Sequence, residues 1–219
     1  VGRRKTRISR KKKRKPVKKK LPLGVIKWVM VLTLGAIALS LIILGLMPKS
    51  YVAIIPGHWG NDSGAICPDG LQEVDVNLRV AELVAELLKD EGYSVKLLRE
   101  LSSDIKGYRG DLLISIHSDS CVTGMSGFKL VTQGSEPERT LLAQCLREKY
   151  ARVTGLPFHP TTITPDMEEY YAFHEIDPST PAAIIEIGFM GGDRELLTQH
   201  PDVVAKGIVE GVKCFFEGR

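Results

Sequence analysis

Twenty consecutive residues from Trp28 to Met47 carry no charge, and about 20 apolar residues is the length at which a helix crosses the hydrocarbon core of a bilayer. Nothing else in the sequence restricts the chain so tightly, because such a run has to leave water. Lys27 and Lys49 bracket it, where long side-chain stems reach the headgroups, and Trp28 stands where an interfacial aromatic belongs. Residues 21–48 therefore read as a single transmembrane anchor. A cleaved signal peptide is the alternative. Its apolar region runs to about 7–15 residues and ends in a small-x-small site, whereas this run is longer and leads into Leu46-Met-Pro-Lys-Ser50.

Charge divides the chain at the same place. Residues 1–49 hold 15 Lys and Arg and no acid, while residues 50–219 hold 15 Lys and Arg against 26 acids. Residues 1–20 have almost nothing apolar to bury and repel one another, which predicts a disordered basic tail. The positive-inside rule puts that tail in the cytoplasm and residues 50–219 on the outer side of the membrane. A basic tail also suits nucleic acid, but orientation and attraction to anionic inner-leaflet lipid account for it, and no nucleic-acid partner is expected.

The outer segment alternates strands and helices. Tyr51–Ile55 is a short β-rich run closed by Pro56-Gly57. From Val76 to Leu88 apolar residues recur at mostly helical spacing, and Gly92 supplies a stop. Strands are expected over Ser94–Arg99, Asp111–His117, Ser126–Thr132 and Ala182–Ile187, with helices over 136–154 and 202–217 and an irregular, proline-rich stretch between 155 and 181. The pattern predicts one α/β domain over 50–219, a central twisted sheet, mostly parallel or mixed, with helices on both faces.

Loops at strand ends are where α/β sheets assemble their sites. His58 ends the first strand in a Gly-rich loop, Glu73 begins a helix, and His117 ends the most apolar strand. Two imidazoles and a carboxylate with an open fourth position form a recurrent catalytic zinc set. The plainer reading is two polar loop histidines and a glutamate favoured by its helix dipole. Glu186 shifts the balance: it interrupts Ala182-Ala-Ile-Ile-Glu-Ile187, where a carboxylate is costly unless paired, hydrogen-bonded or facing a metal. None of Cys67, Cys121, Cys145 and Cys214 has CxxC spacing, which argues against a cysteine zinc site. Cys67 and Cys121 each follow a candidate histidine, so that pair is the first disulfide to check, with buried free thiols as the alternative.

Ile55-Pro-Gly-His-Trp-Gly-Asn-Asp-Ser-Gly64, Gly70-Leu-Gln-Glu-Val-Asp-Val-Asn-Leu78, Leu113-Ile-Ser-Ile-His117 and Pro181-Ala-Ala-Ile-Ile-Glu-Ile-Gly-Phe189, in that order, resemble the zinc-dependent N-acetylmuramoyl-L-alanine amidases of the amidase-3 type. The resemblance covers residues 51–217. It implies hydrolysis of the amide between N-acetylmuramic acid and L-alanine in peptidoglycan, with one zinc ion on His58, Glu73 and His117 and with Glu186 as the catalytic glutamate.

The chain departs from the family pattern in three places. Asp119 stands where the family commonly has Asn, Met190-Gly-Gly-Asp193 replaces the usual continuation to Asn, and the stretch from Arg99 to Asp111 is short. Asp119 is thereby a candidate substrate contact, as are His174, which would stabilise an oxyanion if it is not a structural or surface histidine, and Trp59, which would stack on a sugar if it does not pack over the first strand. A non-catalytic module of the same fold, docking on wall peptides or an envelope partner, is the rival reading. No insertion resembling an autoinhibitory helix is present, so control is expected from an envelope regulator.

Overall fold

A computed structural model describes residues 23–46 and 50–219. The chain divides into two units, Val1–Met47 and Pro48–Arg219. The first contains one helix, α1 (Leu23–Leu46), on which Trp28, Met30, Val31, Leu32, Leu34, Ile37 and Leu39 are all exposed. The tail expected over 1–20 lies outside the described residues, as do both ends of the anchor expected over 21–48 and several of its side chains. Among the described residues no helix is long and apolar enough to cross a membrane.

The second unit is built on a five-stranded sheet in the order β2-β1-β3-β5-β4. Its strands are β1 (Tyr51–Pro56), β2 (Ser94–Leu97), β3 (Leu112–Asp119), β4 (Lys129–Thr132) and β5 (Ala182–Phe189). The pairs β1–β2, β1–β3 and β3–β5 are parallel; β4 runs antiparallel along β5. Mixed describes the sheet better than parallel. The central strands β1, β3 and β5 are covered on both faces, which is why they read as almost continuous apolar runs.

Alternation along those strands splits the interior in two. Val52, Ile54, Leu112, Ile114, Ile116, Ala183, Ile185 and Ile187 point into the larger core. There they meet the three long helices α2 (Glu73–Asp90), α3 (Pro137–Thr154) and α7 (Pro201–Glu217). Ala53, Ile55, Leu113, Ala182 and Ile184 point into the smaller core. Its cover is slighter: Leu98 and Ile105 from the link between β2 and β3, then α4 (Pro165–Glu168) and α5 (Tyr171–Glu175). Helices lie on both faces as expected, in unequal measure. A sixth helix of this unit, α6 (Arg194–Gln199), follows β5.

The strand order explains the imbalance. From β1 the chain steps to one side through α2 to β2, then returns past β1 to β3. Parallel crossovers are right-handed, so reversing the direction of travel changes the face that is crossed. The return link is too short for a long helix, and the proline-rich stretch ahead of β5 supplies only α4, α5 and a 3-10 turn at Pro160–Thr162. All four cysteines pair, as Cys67–Cys121 and Cys145–Cys214. The second bond staples α3 to α7. The first ties the loop between β1 and α2 to the segment after β3, so the pair singled out by its neighbouring histidines is bonded.

Candidate metal centre

Both histidines sit where the direction of travel reverses. His58 follows β1 and His117 lies near the end of β3, its neighbour, so both occupy the crevice at the carboxyl ends of strands on either side of a switch point. His58 takes a left-handed backbone, φ 68°, which is uncommon for a residue other than glycine and turns the chain sharply inward. Glu73 opens α2 and is only 6% exposed.

Glu73 Oε1 lies 3.2 Å from His58 Nε2 and 3.2 Å from His117 Nδ1. One ligand atom from each of the three residues falls within 4.8 Å of the other two. Two glycines allow that approach. A Cβ on Gly57 would come within 2.3 Å of the His117 ring, and one on Gly64, itself at φ +61°, would come within 2.6 Å of both Glu73 Oε2 and the His58 ring. The carboxylate is fixed from behind: the buried Asn77 amide donates to Glu73 Oε1 at 3.1 Å and to the Gly57 carbonyl at 3.2 Å, while the Ala65 N–H donates to Oε2 at 3.1 Å. Two nitrogens converging on one carboxylate oxygen form a donor set suited to a divalent cation with nitrogen and oxygen preferences.

His58 Nδ1, turned away from Glu73, is 2.6 Å from Asp62 Oδ1. A carboxylate there fixes the tautomer and frees Nε2 as a ligand. Burial pushes Glu73 upward, but hydrogen bonds from His117 and His58 prevail and hold its carboxyl well below the usual range. Burial works against a charged His117, yet Glu100 and Glu73 raise it to about 10.

Glu186 is paired in register with His117 on β5. Alternation puts its side chain on the same face of the sheet as His117, and its Oε2 is buried without a hydrogen-bond partner. Burial, reinforced by Glu73 and Asp119 against the opposing pull of His117 and Lys129, raises its carboxyl to about 7. Asp119 forms an ion pair with Lys129, the residue opposite Glu186 on β4. The aspartate found in place of the family's usual asparagine thus has a cation beside it, and both charges flank Glu186.

The remaining candidates, Trp59 and His174, make their contacts outside this group. The Arg99 guanidinium stands 5.4 Å from the centroid of the Trp59 ring, so one ring face is packed. His174, its side chain 65% exposed, pairs with Glu169 at 3.2 Å. The residue missed in the sequence is Glu100. Its side chain is 8% exposed and it approaches both histidines, yet it lies just past β2 in a segment whose sequence reads as a link.

The sequence profile described as N-acetylmuramoyl-L-alanine amidase matches residues 52–214. A germination-specific N-acetylmuramoyl-L-alanine amidase of Bacillus subtilis is 26% identical over 189 residues, covering 74% of this chain and 77% of its own length. The Bacillus subtilis protein YqiI is 28% identical over 189 residues, covering 76% and 84%. Among solved structures, the CwlD amidase of Clostridioides difficile in complex with the GerS lipoprotein has the same fold, with a TM-score of 0.64 at 20% identity over 78% of this chain and 100% of that one.

Proposed function

This chain belongs to the N-acetylmuramoyl-L-alanine amidase family, and from that premise we propose that it is a zinc-dependent hydrolase of the amide between N-acetylmuramic acid and L-alanine in peptidoglycan. The observation that carries the reading is the convergence of His58, Glu73 and His117 on one point, with the half-buried Glu186 beside them presenting an Oε2 that is buried without a hydrogen-bond partner. The three converging residues would hold the ion. When bound, zinc supplies a Lewis acid for the scissile carbonyl and lowers the pKa of a coordinated water.

The chain's own residues supply the rest. Glu186, ionised, takes a proton from the attacking water and delivers it to the leaving nitrogen of L-alanine. Its raised pKa suits both halves of that transfer, since a group poised near neutrality accepts and releases a proton readily. Asp62 holds His58 with Nε2 forward, and Asn77 holds Glu73. Trp59 and Asp119 border the group and are assigned to substrate contact; His174, paired with Glu169 and exposed, is left out of the mechanism.

The same proposal places the enzyme on the outer side of a bacterial membrane, tethered through residues 21–48 with the basic tail in the cytoplasm. What supports the tether is the uncharged run from Trp28 to Met47 and the lysines that bracket it. Extraction of cell membranes with alkaline carbonate tests it: the full chain stays with the membrane and a chain lacking residues 1–47 does not, while release of both would remove the tether from the account.

The chemistry is tested on the full chain purified in detergent. Zinc content of about one per chain and release of stem peptides with a free L-alanine amino terminus, identified by mass, is the expected result. Zinc without cleavage of any peptidoglycan type would favour a non-catalytic wall-binding module, and absence of zinc would undo the ligand assignment.

A further inference from the structure

Glu100 is a buried carboxylate that no step of the proposed hydrolysis uses. A buried acid is costly unless its charge is compensated, and its contacts are specific. Glu100 Oε1 accepts a hydrogen bond from the Tyr170 hydroxyl at 3.3 Å and faces His117 Nε2 at 3.6 Å. Glu100 Oε2 accepts the backbone N–H of His58 and faces His58 Nδ1 at 3.9 Å. Each oxygen is therefore anchored by one fixed donor and presented to one imidazole.

The two glutamates bracket the histidine pair. Glu73 faces His58 Nε2 and His117 Nδ1, while Glu100 faces the opposite nitrogen of each ring. On His58 that outer nitrogen is already taken by Asp62 at 2.6 Å. On His117 it is a buried nitrogen with no hydrogen-bond partner, and Glu100 is the carboxylate that faces it. At 3.6 Å the contact is longer than a hydrogen bond, and a small rotation of ring or carboxylate closes it. The backbone aims Glu100 inward at a cost: Leu101, next in the chain, is at φ 56°, the one described non-glycine residue besides His58 with a left-handed backbone. Its N–H is secured by the Tyr171 hydroxyl at 2.9 Å.

Resting on the zinc reading above, we propose that Glu100 is a positioning residue for the metal: it accepts the Nε2–H of His117, holds Nδ1 toward the ion, and does for His117 what Asp62 does for His58. Tyr170 is its support. It is held in turn by Ser115, whose hydroxyl lies 2.8 Å from that of Tyr170.

The test is zinc affinity by chelator competition on the full chain in detergent, comparing wild type, Glu100→Gln and Tyr170→Phe, with a thermal melt of each metal-free protein. Glutamine keeps the shape, but its NH2 must replace an oxygen that accepts a fixed donor, so it cannot serve both sides. Loss of a partner of this kind weakens metal binding by about 10–100-fold; Glu100→Gln is expected in that range, and Tyr170→Phe in the same direction by about threefold. A merely structural role would lower the metal-free melting temperature and leave zinc affinity alone, and that result overturns the proposal. Nitrogen-15 NMR of the zinc-loaded wild type needs no variant to fold: a proton on His117 Nε2 is expected, and one on Nδ1 sinks the idea outright. Failure of the wild type to bind zinc would remove the metal reading and this inference with it, whereas wild-type affinity in Glu100→Gln removes only the inference.

Discussion

The two faces of the sheet are made from alternate residues of the same strands, and they hold different kinds of residue. On the face covered by α2, α3 and α7, β1, β3 and β5 present Val52, Ile54, Leu112, Ile114, Ile116, Ala183, Ile185 and Ile187, all apolar and buried. On the other face the same strands carry Ala53, Ile55, Leu113, Ala182 and Ile184, and alternation adds Ser115, His117 and Glu186 toward their carboxyl ends. The cover there is two short helices and a link, which also bring Tyr170 and Glu100 to the site. A long helix packed on that face would need a continuous apolar stripe, and polar groups would be buried against it without partners. The comparison teaches a division of labour: one face holds the fold together, and the lightly covered one leaves room for charged groups and for access to them.

The sharpest way to break that division is to remove a charged group from the lightly covered face and look for damage to stability. Glu186→Ala is expected to lower kcat for peptidoglycan hydrolysis by about 10²–10⁴-fold, the usual range for a general acid–base residue. Zinc content should be unchanged. A variant that lost its zinc or failed to fold would show that Glu186 also holds the structure together, and the two faces would not be separable.

The converse substitution on the other face is Leu146→Ala, a fully buried side chain of α3. Large-to-small changes in a packed core cost about 2–5 kcal/mol, read by denaturant unfolding. Zinc affinity should stay within twofold of wild type; a tenfold change would mean that packing behind the sheet sets the metal geometry in front of it.

The sign of a pH effect sharpens the comparison further. Glu186 has a folded pKa raised to about 7 from an ordinary 4.5. Below about pH 4.5 it is protonated whether the chain is folded or not and costs nothing. As pH rises toward 7 the unfolded chain ionises first, so stability falls. Two and a half units correspond to about 3 kcal/mol. Metal-free Glu186→Gln should therefore match the wild type near pH 4 and be more stable above pH 7, by up to that amount. Activity runs the other way, because a general base has to be ionised: it should fall as pH drops, with a midpoint below 7 because the zinc that the active enzyme holds favours the carboxylate.

Much of this arrangement is legible in the sequence because particular residues break local rules. An acid inside Ala182–Ile187 and a histidine ending Leu113–His117 are out of place in buried strands, and that conflict marks a site. The inequality of the two faces is not legible, since strands buried on both sides read as continuous apolar runs whichever helices cover them. Glu100 is hidden for a different reason. Its role exists only when the β2–β3 link folds back past β1, and a single glutamate beside an arginine in a short polar link gives no sign of that. Tyr170 is hidden likewise, in a stretch whose prolines announce irregular backbone and nothing more.

The smallest effect is the one that separates the two disulfides. Replacing both cysteines of either pair with serine lengthens the free chain by similar loops, 69 residues apart for Cys145–Cys214 and 54 for Cys67–Cys121. Loop-closure entropy depends only on the logarithm of that length, so the two losses of stability should be alike, each about 2–4 kcal/mol. Their consequences for the metal should differ. Cys145–Cys214 joins two helices of the large core, whereas Cys67–Cys121 joins the loop that leads into Glu73 to the chain just after His117. Cutting Cys67–Cys121 leaves the donors in place through Asn77 and Ala65 but frees the two segments to shift against each other. Zinc affinity should therefore weaken by about tenfold or less, at most ~1.4 kcal/mol, in Cys67→Ser/Cys121→Ser and not in Cys145→Ser/Cys214→Ser. Equal zinc affinity in the two double variants would show that hydrogen bonds alone hold the ligand set, and that the bond near the site stabilises the fold in the same way as the one between the helices.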